Sequence, residues 1–432
     1  MMRNRFELSD DCSNLSAAEI AQLQNKLLAE QVAYCRQNSP FYRESLKHLP
    51  EREFNTDFLQ DIPVTTKNDL ALHNEKFFAL PMRDIADICF TSGTTGEPCK
   101  IVYSASDLDR LAYNDACGFK AAGITPDDKV LLTCTIDRCF IAGLAYYGGV
   151  VKLGAAAIRN GLNTVASHAQ IIRSVKPDAI VGVPSFIAKL GQYLADEKID
   201  ASSVKTIVCI GEPVRTRSME LTPLGRKMDS FWRGAVRSTY ASSEIVTSFT
   251  ECQCCCGGHP PADLAVVEIL DEAGNRVPDG EVGEVVVTPL GVTGMPLLRY
   301  RTGDTAFLLP EPCRCGRHTK RLSPILGRKA QMLKVHGTTL FPNAFFHVLD
   351  QLEMVAEYYM EVSGDALSDE ITIFAALKDG AVISAAEISE AMYNHTRIHV
   401  PVNVIPLSDA QKRVFGVSRK PVRFFDFRRR EI

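Results

Sequence analysis

Three short segments constrain this chain more than any others. DKVLLTCTI (Asp128–Ile136), DAIVGVP (Asp178–Pro184) and VKTIVCIGEP (Val204–Pro213) are rich in β-branched residues and apolar on both faces. Strands read this way when helices cover both sides of a parallel sheet. Helical stretches such as Ser185–Leu194 separate them, which gives a βαβ pattern and an α/β fold. Upstream, Ser16 and Glu19 form a capping box ahead of Ile20, Leu23 and Leu27 on one helical face. The proline in NSPFYRESL interrupts that helical opening. LAVVEILDEAGNRVPDGEVGEVVVTPL (Leu264–Leu290) has two strand-like runs around a Gly- and Pro-rich turn, the pattern of a β-hairpin.

At 432 residues the chain exceeds what one hydrophobic core usually supports, so at least two domains are expected. The boundary falls near Gly327–Ala330, giving domains 1–328 and 329–432. The second has its own apolar runs, ITIFAAL and VNVIPL, and suits a small α+β domain on a short hinge. A net charge of −4 gives no drive toward nucleic acid, and Arg428–Arg430 read as a solvated basic tip. No run of eighteen apolar residues points to a membrane span. The opening MMRNRFELSDDCS lacks the apolar core of a signal peptide, so a cytoplasmic protein is expected. There, fourteen cysteines argue for thiols or metal ligands over disulfides.

TSGTTGEPCK, from Thr91 to Lys100, carries the chemistry. Closely spaced hydroxyls and backbone N–H groups suit a polyphosphate, and glycine lets the backbone approach it. The Walker spacing is absent. The plain alternative is a surface turn. IGEP follows a strand, which places Gly211, Glu212 and Pro213 at the carboxyl end where ligands of open α/β sheets bind. RSTYASSEI offers Tyr240 for stacking and Glu244 for a cation. In RYRTGD, Asp304 is a bidentate acceptor for the two hydroxyls of a ribose, although Thr-Gly-Asp is most often only a turn.

The order of these motifs resembles the adenylate-forming superfamily of acyl-CoA synthetases and adenylation domains, and within it the phenylacetate–CoA ligase family. The likeness runs from NSPFYRESL and DIPVTTKNDL through TSGTTGEP, IGEP, YASSE and YRTGD to LGRKAQMLKVHGTTLFP and SRKPVRFFDFR. It implies a large N-terminal domain of mixed β-sheets flanked by helices, with a small mobile α+β C-terminal lid. Thr91, Ser92, Gly93, Thr94, Thr95 and Gly96 would wrap the β- and γ-phosphates of ATP. Gly211, Glu212 and Pro213 with Tyr240 would line the adenine pocket, beside Ala241, Ser242 and Ser243. Glu244 would ligate Mg2+, Asp304 would hold the ribose, and Arg328 would contact it from the hinge. Lys420 would be the catalytic lysine of the lid, since Val422 to Arg428 supplies the V-x-x-x-D-x-R ending. Lys412 is the fallback. The chain departs from the pattern at Cys99, at Ala330 in the hinge, and at Arg419 before the lysine.

The resemblance implies ATP-dependent activation of a carboxylic acid, aryl or aryl-like, and its transfer to coenzyme A. The acid pocket is placed at Phe140–Gly149, with Phe140, Gly143, Tyr146 and Tyr147 as its residues. Relatives that adenylylate a deazaflavin hydroxyl or load carrier proteins form the alternative, and a non-catalytic nucleotide sensor is a third reading. A homodimer is the expectation for assembly. Two cysteine-rich loops, TECQCCCGGH and PCRCG, suit a structural Cys₃His zinc site. Cys252, His259, Cys313 and Cys315 are the first choices, on the alignment that the resemblance supplies. Spacing alone does not choose among Cys252, Cys254, Cys255 and Cys256.

Overall fold

A computed structural model describes residues 6–50, 54–91, 99–335, 338–364, 369–416 and 421–428. The chain divides into two compact units. One comprises residues up to Thr302 together with Ala306–Ile325, and the other comprises Gly303–Thr305 together with Leu326 onward.

The first unit opens with the helix Ala17–Asn38, whose Ser16–Glu19 capping box is formed as the sequence suggests. It ends at Asn38 because Pro40 begins a new helix, Pro40–Ser45. A hairpin of β1 (Ile85–Phe90) and β2 (Lys100–Ser104) follows. Next come five parallel strands: β3 (Lys129–Leu132), β4 (Ala156–Arg159), β5 (Ala179–Gly182), β6 (Thr206–Cys209) and β7 (Val236–Ser242). They lie in the order β7-β6-β5-β3-β4. The central β5 and β6 are buried along their whole length, as apolar runs without alternation require. β8 (Thr247–Glu251) turns back antiparallel to β7, and β9 (Gly258–His259) pairs with β8. β10 (Ala265–Leu270) and β11 (Gly283–Pro289) form the hairpin read from the sequence. β12 (Tyr300–Ala306) belongs to the same sheet, and β13 (Leu308–Leu309) and β14 (Arg321–Leu322) complete the edge beside β9.

Two close approaches seat the helix Ile141–Leu153. The helices Ala105–Ala122 and Ile141–Leu153 meet at Gly149, where a Cβ would sit 2.6 Å from that of Asp115. At Gly143 a Cβ would lie 1.9 Å from the Thr135 carbonyl oxygen.

Buried arginines stitch the loops of this unit together. Arg110 is fully buried and donates to the carbonyls of Leu290 (2.7 Å), Leu264 (2.5 Å) and Val246 and to Thr247 Oγ1. Arg299 pairs with Glu268 and donates to the carbonyls of Gln60 and Ile62. Arg215 Nε lies 2.7 Å from Glu251 Oε1 and 2.9 Å from Oε2, while its terminal nitrogens reach the carbonyls of Met219 and Val236.

The second unit is α+β. β15 (Gly327–Arg328) pairs with the Asp304–Thr305 stretch of β12. β16 (Leu333–Val335) and β17 (Thr338–Leu340) make a small ribbon. The main sheet has the order β20-β19-β18-β21, built from β18 (Val355–Gly364), β19 (Asp369–Leu377), β20 (Val402–Val404) and β21 (Phe424–Asp426). Its core joins Met360, Ile373, Phe345, Ile388 and Met392 from the sheet and from the helices Pro342–Gln351 and Ala385–Thr396. No helix among the described residues is long and apolar enough to cross a membrane.

Arg215 and Glu251 are both buried, with side chains 8% and 2% exposed, so removing one partner strands the other charge. Arg215→Met is expected to lower the stability of the first unit by about 3–5 kcal/mol. The shift of the urea midpoint against the wild-type chain checks it.

Candidate functional site

Most of the candidate residues of the first unit gather where the parallel strands end. Thr91 follows β1, and its N–H donates to the Cys99 carbonyl (3.0 Å) while its hydroxyl accepts from the Cys99 N–H (3.2 Å). The base of the hydroxyl-rich loop is therefore closed. Ser92, Gly93, Thr94, Thr95 and Gly96 lie outside the described residues. Phe90 N–H donates to the Cys139 carbonyl (3.0 Å), joining the hairpin to the loop in front of Phe140. Arg138 and Cys139 hold φ of 65° and 52°, a left-handed pair that non-glycine residues adopt only when the surroundings enforce it.

Gly211, Glu212 and Pro213 leave the end of β6, as the sequence placed them. Gly211 has φ 75° with no atom within 4 Å of the Cβ position, so its α-carbon faces open space. The Glu212 carboxylate turns to Ser185, accepting from its N–H and its hydroxyl at 2.9 Å each. Tyr240, Ala241 and Ser242 end β7, and the half-buried Tyr240 ring rests 5.8 Å from Phe249. Tyr103 Oη donates to the Ser243 carbonyl (3.0 Å), which fixes the turn that presents Glu244. Glu244 is half-buried.

Helical geometry divides the four acid-pocket candidates. Gly143, Tyr146 and Val150 recur at helical spacing on the buried face of Ile141–Leu153. Tyr146, 5% exposed, packs with Val130, Leu132 and Val150, so its ring belongs to the core. Phe140, at the N-cap, and the half-buried Tyr147 keep accessible surface. The Arg159 guanidinium lies 5.2 Å from the Tyr147 ring centroid, a cation at the end of β4 that sequence reading did not single out.

In the second unit, Asp304 stands opposite Arg328 across the β12–β15 pair. Arg328 Nε is 3.2 Å from Asp304 Oδ1, and Asp304 is 8% exposed. The preceding Gly303 has φ 76° and open space at its Cβ position. Lys420 lies outside the described residues; Lys412 sits in the last turn of the helix Leu407–Phe415.

The structure brings all four metal candidates together. Donor atoms of Cys252, His259, Cys313 and Cys315 lie within 4.8 Å of one another. Cys252 Sγ is 3.7 Å from Cys313 Sγ, and Cys315 Sγ is 3.6 Å from His259 Nε2. A tetrahedron with metal–sulfur bonds of about 2.3 Å and a metal–nitrogen bond of about 2.0–2.1 Å has edges of about 3.8 Å and 3.6 Å. His259 Nδ1 meets Thr319 Oγ1 at 2.8 Å, a contact that orients Nε2 toward the sulfurs. Burial, with Arg317 and Arg321 nearby, lowers the His259 pKa to about 4, so the ring is neutral with a free lone pair. Cys254 packs against the Cys252–Cys313 pair, and Cys255 Sγ donates to the Gln253 carbonyl; neither belongs to the donor quartet.

The thiols elsewhere differ sharply in access. Cys139 is exposed, whereas burial pushes Cys35 and Cys134 up to about 12 and Cys89 up to about 11. Brief maleimide treatment of the native protein is expected to modify Cys139 well before these three. Peptide mapping by mass spectrometry checks the order.

Comparison with known proteins gives a consistent result. A family model described as AMP-binding enzyme matches residues 11–295. The chain is 31% identical to a phenylacetate–coenzyme A ligase of Thermus thermophilus, over 83% of this chain and 82% of that protein. It is 29% identical to a phenylacetate–coenzyme A ligase of Escherichia coli, over 86% of each. Among solved structures, a 2-hydroxyisobutyryl-CoA ligase in its postadenylation state superposes with a TM-score of 0.82 at 22% identity, covering 96% of this chain and 91% of that one. That likeness supports the two-domain adenylate-forming fold.

Proposed function

We propose that this chain, which belongs to the AMP-binding enzyme family, activates a carboxylic acid with ATP and passes the acyl group to coenzyme A. It is an AMP-forming acid–thiol ligase. The acid is aryl or aryl-like, a reading supported by the phenylacetate ligases it resembles and by Phe140 and Tyr147 beside the strand ends. The observation that carries the nucleotide reading is Asp304: a carboxylate held beside Arg328, next to a glycine that opens space in front of the backbone.

A carboxylate is a poor electrophile because it would have to expel oxide. In the first half-reaction its oxygen attacks the α-phosphorus of ATP, and the bond to the bridging oxygen of the β-phosphate breaks. Acyl-adenylate and pyrophosphate result. In the second, the thiol of coenzyme A attacks the acyl carbon and AMP leaves. Thr91 through Gly96 hold the β- and γ-phosphates, Gly211–Pro213 and Tyr240 hold the base, and Asp304 with Arg328 holds the ribose. Glu244, half-buried on the turn that Tyr103 fixes, suits Mg2+. Mg2+ held there would supply positive charge against the phosphates. Lys420 stabilises the charge that grows on the α-phosphate, and residues 329–432 act as the lid that brings it in and withdraws it. The enzyme works in the cytoplasm on small molecules, without nucleic acid or membrane, and as a homodimer.

Incubation with ATP, coenzyme A and a panel of aryl acids should yield AMP and acyl-CoA in equal amounts. A stable adenylylated deazaflavin, or a loaded carrier protein in place of acyl-CoA, would redirect the acceptor. Lys420→Ala should lower adenylate formation at least about a hundredfold while sparing thioester formation from supplied acyl-adenylate. Equal loss in both half-reactions would move the role to Lys412.

The quartet Cys252, His259, Cys313 and Cys315 fits zinc in donor type, spacing and orientation. Zinc there would be structural, tying the β8–β9 turn to the loop between β13 and β14. Protein purified without chelator should carry one zinc per chain by elemental analysis. Cys313→Ser with Cys315→Ser should release the metal and lower the melting temperature, and Cys254→Ser should do neither. Metal-free wild type of unchanged melting temperature would return these residues to plain thiols.

A further inference from the structure

The loop after β6 is held on both sides and open in the middle. Before it, Ile210 N–H donates to the Gly182 carbonyl (3.0 Å), which joins β6 to the end of β5. After it, Arg215 closes on the buried Glu251. Between them Gly211, at φ 75°, has nothing within 4 Å of its Cβ position. The next residue, Glu212, reaches across to the helix Pro184–Asp196. That helix lacks a cap of its own, because the N-cap residue is Val183 and contributes no side-chain hydrogen bond. The first N–H groups of a helix need acceptors, and negative charge is favoured there by the helix dipole. Glu212 supplies both from 27 residues away, through two 2.9 Å bonds to Ser185 N–H and Ser185 Oγ–H.

We propose that Glu212 is a positioning residue for the nucleotide, acting through its pair of hydrogen bonds to Ser185. The carboxylate locks the Gly211–Pro213 loop to the start of a rigid helix. The backbone of that loop then presents one fixed edge to the nucleobase, instead of swinging about Gly211. The helix N-terminus is correspondingly filled by the protein's own carboxylate and is not an anion site for substrate. This inference rests on the reading of Gly211–Pro213 as the nucleobase loop.

The test separates the latch from that reading. Glu212→Ala is expected to raise the KM for ATP about fivefold to tenfold, with the KM for the acid moving less than about twofold. Glu212→Gln keeps an acceptor for the Ser185 N–H and should restore most of the ATP KM. Ser185→Ala removes only the hydroxyl bond and should raise the ATP KM about twofold; it decides the matter if Glu212→Ala does not fold. The double variant should be no worse than Glu212→Ala alone, because both changes break one contact. Gly211→Val, which forces a side chain into the loop, should raise the ATP KM in every case. If Gly211→Val raises it and neither Glu212→Ala nor Ser185→Ala does, the latch is wrong. Equal rises for ATP and acid would also overturn it, as a purely structural cap would act that way. If none of the variants moves the ATP KM, the nucleobase reading fails and the inference with it.

Discussion

A guanidinium cannot shed its charge, so burying Arg215 obliges the chain to bring acceptors to it. The acceptors come from three places: Glu251 at the end of β8, the Val236 carbonyl of β7 and the Met219 carbonyl. Glu251 also accepts the Ser238 N–H (2.8 Å), which locks it to β7. Through this one pair the loop after Gly211–Pro213 is fixed against the strand that runs directly into Cys252. The Gly211–Pro213 loop and the cysteine quartet thus share one buried ionic anchor. Arg110 and Arg299 repeat the device elsewhere, each drawing backbone carbonyls from distant segments onto a charge that must be satisfied.

What sequence could and could not reveal follows from the range of each signal. Strands covered on both faces leave a local mark, so β3, β5 and β6 fall inside the apolar segments Asp128–Ile136, Asp178–Pro184 and Val204–Pro213. The Ser16–Glu19 capping box and the β10–β11 hairpin are equally local. Side-chain direction is not. Tyr146 and Tyr147 are neighbours in one apolar run, yet helical phase sends the first into the core and leaves the second beside Arg159. Applying the 3.6-residue period from Gly143 would have separated them. Glu212 read as part of a nucleobase pocket because nothing near it in sequence reveals a partner in Ser185. Four cysteines in five residues could not be ranked by spacing, and only the fold shows that Cys252 reaches Cys313 while Cys254 and Cys255 stay outside the quartet.

Adenylate chemistry needs a charged, ordered surface for the nucleotide and a separate means of moving a lysine in and out. In our reading the candidates for the first are of different kinds, and each unit supplies its own. One unit exposes backbone at Gly211 and carries Glu244 on a turn fixed by Tyr103, and the other has an open Gly303 beside the Asp304 carboxylate. The second belongs, in our reading, to the small unit, whose own core of Met360, Ile373, Phe345 and Met392 makes it a body in its own right.

In our reading the chain makes an acyl-adenylate before any thiol is involved. The most direct test is exchange of labelled pyrophosphate into ATP in the complete absence of coenzyme A. Label should enter ATP only when an aryl acid and magnesium are both present, with AMP appearing only once coenzyme A is added and ADP at no stage. Release of ADP, or acyl-CoA formation with no acid-dependent exchange for any acid that is turned over, would contradict it.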